Sequence, residues 1–173
     1  MDTFDNYLVN NSIDKREASK ASEFYHKFDA LEAVYDTIQI SGKFQQVIGN
    51  VNSKICFVFT SEETYKSCKK ILDKICGIYQ TNLWNIALLF LCKTDDDSTN
   101  IAYLSKEIDI INPKVIYLFD CDFVEKSVKD YFQDSLNKTF TTHMIHVNNI
   151  ESISSNTPSE NFDLFKYLIT YDY

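Results

Sequence analysis

From Asp14 to Ile40 apolar residues recur three and four apart (Ala21, Phe24, Phe28, Leu31, Val34, Tyr35, Ile38), which predicts one long helix with a single buried face. Ser12 or Asp14 is placed to cap it, with Glu17 completing a capping box, and Ser41-Gly42 ends it. Lys43 to Val51 reads as a connector. The pattern then changes. Ile55-Cys56-Phe57-Val58-Phe59 is apolar with no alternation, as a strand covered on both faces must be. Leu83 to Cys92 repeats that signature, as does the run after Asn112-Pro113, Lys114 to Phe119. Phe140 to Val147 carries it more weakly, since Thr141 and Thr142 interrupt it, and an edge strand is expected there. Helical spacing separates these runs: Thr60-Ser61-Glu62-Glu63 opens a helix to about Ile75 closed by Gly77, and further helices cover about Thr99 to Ile110, Phe123 to Ser135 and Glu160 to Tyr171. Strictly alternating helices and strands predict an α/β three-layer sandwich built on a four-stranded parallel sheet.

Length adds one domain, residues 13–173, preceded by a short arm, residues 1–12, in which Phe4, Tyr7, Leu8 and Val9 form an apolar cluster suited to docking on a partner or on its own domain. Charge narrows the partners. A net charge of −8 with a pI near 4.8 disfavours gripping a nucleic acid backbone and favours a protein partner with basic patches. Five cysteines without a C-x-x-C pair read as reduced, space-filling thiols of a cytoplasmic protein. Met1 to Val9 lacks the apolar core of a secretory signal, and Ile86 to Cys92 is too short to span a membrane.

Candidate chemistry is confined to the turns at the carboxyl ends of the strands, where open α/β sheets hold ligands. The residues there are Thr60, Ser61, Glu62 and Glu63, then Lys93-Thr94-Asp95, then Phe119-Asp120-Cys121-Asp122, then His146-Val147-Asn148-Asn149. No G-x-G-x-x-G, P-loop or G-x-S-x-G is present, and with only 3 Gly the tight phosphate-cradling turns have few residues to form them. His143 and His146 lack the companions of a zinc set and point to opposite faces of their strand, so neither metal nor cofactor is expected. Asp95-Asp96-Asp97 reads as a charged loop tip with helix caps more readily than as a cation site. His146 with Glu62 or Glu63, or with Asp120 or Asp122, is the one acid/base pairing on offer, and a polar strand-end histidine is its ordinary alternative. Cys121 between two acidic residues is a poor nucleophile. Trp84 and Tyr79, away from the carboxyl ends, read as packing.

The segment order from Ser41 to Tyr171 resembles the uracil-DNA glycosylase superfamily, its family 4 branch in particular. Tyr79-Gln80-Thr81-Asn82 is similar to the family's lead into its second strand, Ile111-Asn112-Pro113-Lys114-Val115-Ile116-Tyr117-Leu118 to its Pro-bearing central strand, and His146-Val147-Asn148 to its His-Pro-Ser motif. The departures fall on the reacting positions. The family's Gly-Glu-x-Pro-Gly loop is Thr60-Ser61-Glu62-Glu63, its glycine after the central strand is Phe119, and its iron-sulfur cysteines have no matching set. The resemblance implies a glycosylase-like fold whose ligand site is lined by Thr60, Ser61, Phe119, Asp120 and Asn148 but obstructed by Phe119. In this the chain resembles the psi subunits of bacterial replicative clamp loaders, glycosylase-like proteins that bind partners. The expectation is a non-catalytic protein-interaction domain in DNA replication or repair. A divergent base-excision hydrolase using His146 with Glu62 or Glu63 is the alternative.

Overall fold

A computed structural model describes residues 15–37, 46–150 and 163–170. The long N-terminal helix is α1 (Lys15–Tyr35), and the predicted capping residues before it, like the arm with Phe4, Tyr7, Leu8 and Val9, lie outside the described residues. The sheet strands are β1 (Ile48–Gly49), β2 (Ile55–Phe59), β3 (Ala87–Phe90), β4 (Val115–Phe119) and β5 (His143–Val147). Between and after them run α2 (Glu62–Ile78), α3 (Asp97–Ile111), α4 (Val124–Asp134) and the short α5 (Tyr167–Thr170).

Four strands are parallel, as expected, in the order β3-β2-β4-β5. The connector before β2 contributes a fifth: β1 pairs antiparallel with β3 through Ile48↔Leu88 and Gly49↔Ala87. Two residues carry too little pattern to register as a strand in sequence. Gly49 can pair so closely because it has no side chain. Its φ of +88° is left-handed, and a Cβ there would meet the Ile86 carbonyl oxygen at 2.1 Å.

Non-alternating strands are buried on both sides, and the two sides differ. Phe57 and Phe59 of β2, Leu88 and Phe90 of β3, and Tyr117 and Phe119 of β4 face α2 and Phe165. Cys56, Val58, Leu89, Ile116 and Leu118 face α1, α3 and α4 in a largely aliphatic layer. Helices end where backbone chemistry stops them. Ser61 caps α2 by accepting from Thr64 N at 3.2 Å, Asp96 caps α3 by accepting from Thr99 N at 2.9 Å, and Asn112 closes α3 in a left-handed conformation (φ 53°) before Pro113. Gly77 does not close its helix. It lies inside α2, with nothing near enough to need its missing side chain, and Gln80 takes the left-handed turn instead (φ 58°). Trp84, expected in the core, is 74% exposed on a 3-10 turn (Leu83–Asn85), whereas Tyr79 is buried. Among the described residues no helix is long and apolar enough to cross a membrane.

Candidate functional site

The chain passes from β2 outward to β3, then returns past β2 to β4 and on to β5. The sheet therefore reverses winding direction between β2 and β4, where a doubly wound fold opens its ligand crevice. Here that place is packed. Register puts Phe90, Phe59, Phe119 and Val147 side by side at the carboxyl ends. Phe59 and Phe119 stack at 4.7 Å and 13°, Phe57 meets Phe119 edge-on at 5.0 Å, and Tyr65 from the first turns of α2 closes over Phe59 at 5.3 Å. Phe59 and Phe119 are 0% exposed. Phe119 thus fills the position at which the resemblance expects a glycine, and it is core rather than a lining residue.

The polar side chains of the same turns are engaged locally. Thr60 and Ser61 share their hydroxyls with Thr64 at 2.9 and 3.1 Å and so shape the start of α2. Glu62 forms an ion pair with Lys66 one turn on, at 3.1 Å, and Glu63 is exposed on α2. Asp120 takes a left-handed conformation (φ 52°), and its Oδ1 accepts from Asn149 N at 2.7 Å. These bonds satisfy backbone and side-chain groups that would otherwise face a ligand.

Titratable groups gather one strand farther out. His146 lies at the carboxyl end of β5, with Nε2 in hydrogen-bond contact with Glu125 Oε2 and Nδ1 3.5 Å from Asp122 Oδ1. Asn148 donates to Asp122 Oδ2 at 2.8 Å, and Lys129 reaches Glu125 Oε1 at 2.5 Å. Asp122, one of the expected partners of His146, is therefore beside it. Glu62 and Glu63 follow β2, and β4 intervenes between β2 and β5, a lateral offset of about 10 Å. Glu125 was missed because its role depends on α4 beginning beside β5, which strand order decides. The available signal was its place one turn beyond Asp122. Lys129, then His146, holds the Glu125 carboxyl below the usual glutamate range. The cluster is a shallow, solvated arrangement able to exchange a proton, with no activated nucleophile in it.

A second charged pair is hidden. Lys93, just past β3, and Glu107 of α3 are both 0% exposed and 2.7 Å apart, and Lys93 Nζ also donates to Phe90 O at 2.5 Å. Burial raises the Glu107 carboxyl, and Lys93 opposes that shift. Burial also pushes the Cys121 thiol up to about 12, with Asp122 and Asp120 adding to the shift, and its Sγ contacts Val58 O at 3.6 Å. None of the five cysteines is in a disulfide, and only Cys92 is exposed. Among the described residues no group of three or more His, Cys, Asp or Glu side chains is arranged to hold a metal ion.

No family model and no curated protein sequence matches the chain.

Proposed function

We propose that the chain is a non-catalytic, glycosylase-like α/β domain that works by binding protein partners in DNA replication or repair. The carrying observation is the packed crevice. Stacked Phe59 and Phe119 occupy the space that a flipped base or another ligand would need at the β2–β4 junction. The replication and repair context rests on the resemblance in segment order, and the partner preference rests on the net charge of −8. Free thiols throughout suit a reducing, cytoplasmic setting. The test is incubation of purified protein with uracil-containing single-stranded and duplex oligonucleotides, with binding to undamaged DNA recorded in parallel at low salt. The proposal expects neither base release nor tight binding, and base release would overturn it.

One observation favours a second reading, a divergent base-excision hydrolase. His146 is bracketed by Glu125 and Asp122 at a strand's carboxyl end, where a general base would be held. On this reading uracil is released, and His146→Ala abolishes the release. Release that survives the substitution would remove His146 from the chemistry.

A further inference from the structure

We propose that the free edge of β5 is a docking site for an extended segment of a partner protein, added to the sheet as a sixth strand, with apolar residues on one face and lysine or arginine on the other. This deepens the interaction reading above and rests on it.

β5 ends the sheet order, and one side of its backbone is left over. His143 N donates to Lys114 O at 3.1 Å and Val147 O accepts from Asp120 N at 3.0 Å, so the odd-numbered residues of β5 bond inward to β4. Met144 and His146 turn the other way. Their two N–H and two C=O groups point outward, and among the described residues no backbone hydrogen bond reaches them. Exposure agrees: β2 and β4 are buried at every position, whereas Met144 and Ile145 are only half-buried and His143 and His146 are exposed. The devices that blunt an edge are missing here. β5 has no proline or lysine, and its register with β4 runs unbroken over five pairs, so no bulge turns the edge away. An open ladder of this kind is completed by another strand.

The side chains on each face select the occupant. On the face toward Phe165, Ile145 and the edge-on pair of His143 and Tyr167, 5.6 Å apart, suit an apolar neighbour. On the opposite face His146 is bracketed by Asp122 and Glu125 of the α4 side, and Lys129 is the one lysine in ion-pair contact with either carboxylate among the described residues. With histidine counted neutral, that cluster keeps a net negative charge. Lysine or arginine on the incoming strand, placed opposite or diagonal to His146, answers it. A second copy of the chain would instead bring the same carboxylates to the edge, with a net charge of −8 behind them.

The probe is a fluorescently labelled peptide of alternating valine and lysine, about seven residues long, titrated into the full chain. Two controls accompany it: a valine and glutamate peptide of the same pattern, and the valine and lysine peptide N-methylated along its backbone, which removes its ladder donors. The valine and lysine peptide binds, and exchange of the Met144 and His146 amides slows about tenfold. N-methylation weakens binding about tenfold, as does Met144→Pro, which removes an outward N–H and leaves the bonds to β4 in place. Asp122→Asn with Glu125→Gln weakens it about threefold, a loss that shrinks as salt rises from roughly 50 to 300 mM. Equal binding by Met144→Pro, of the N-methylated peptide or of the acidic peptide overturns the docking proposal. Slowing of the two amides by rising protein concentration alone overturns it in favour of a second copy, and slow exchange of both in the free chain at every concentration overturns it in favour of an edge filled from within. Failure of the peptide to bind overturns it too, yet leaves the interaction reading intact. Uracil release removes that reading, whatever the peptide does.

Discussion

The β2–β4 junction and the β4–β5 edge lie side by side at the same end of the sheet and are built from opposite materials. At the junction, fully buried rings stack 4.7 Å apart and the neighbouring hydroxyls cap a helix. At the edge, His146, Asp122, Glu125 and Asn148 bond to one another in solvent. A sheet topology that usually reserves its junction for a ligand has here turned it into core, and polar groups persist only where packing did not need the space. Topology therefore locates where chemistry would be, while the side chains decide whether it is there.

The comparison is broken most directly by removing what fills the junction. Phe119→Ala should cost about 3–5 kcal/mol, because Phe57, Phe59 and the rest of their buried cluster cannot all collapse into the gap. Urea unfolding followed by circular dichroism measures it. A loss below about 1 kcal/mol would mean that the rings are loosely held and the crevice is latent. Lys93→Met should cost as much, about 3–5 kcal/mol, by leaving Glu107 buried without its cation. Adding Glu107→Leu should recover most of that loss, since a well-packed apolar pair replaces a desolvated ionic one.

The contrast explains how much of the molecule was legible in sequence. Strand β2 was readable to the residue, and β4 to within one since Lys114 falls outside it, because a strand buried on both faces leaves an uninterrupted apolar run between polar turns. Asp96 and Ser61 announced their helices by capping chemistry. The candidate site was half legible. His146, Asp122 and Asn148 could be placed at strand ends, but which ends adjoin depends on strand order, and β4 lies between His146 and the glutamates of α2. The Lys93–Glu107 pair gave no signal, because lysine and glutamate in a loop and on a helix look solvated until both are enclosed. Trp84 misled for the converse reason: a large ring suggests core, and only the 3-10 turn sets it outside.

A smaller effect separates the two regions by pH. Cys121 lies under the turn that joins them and keeps its proton to about 12, against 9.0 for an ordinary thiol. Between those values the unfolded chain has lost a proton that the folded chain retains, so the folded state binds more protons and stability falls as pH rises. Cys121→Ala should flatten that decline without abolishing it, since burial also holds Cys76 up at about 12. Thermal unfolding scanned from about pH 8 to 11 reads the slope, and an unchanged slope would mean that solvent reaches the Cys121 thiol beneath the Asp120 turn.

The smallest effects belong to the edge itself. His146→Ala removes contacts between half-exposed side chains, so the stability change should not exceed about 1 kcal/mol. The informative readout is the titration of Glu125, followed by carboxyl carbon chemical shift. Its carboxyl is held below the ordinary value of 4.5 first by Lys129 and then by His146. Lys129→Ala should therefore raise the Glu125 titration more than His146→Ala does. The sign follows for stability: a lowered carboxyl contributes above its ordinary value and loses that contribution as pH falls through the lowered one, so both variants should flatten the acid limb slightly. A larger response to His146→Ala would reverse the hierarchy and make the histidine–carboxylate contact the organising bond of the edge, which is what a catalytic dyad requires and a solvated surface cluster does not.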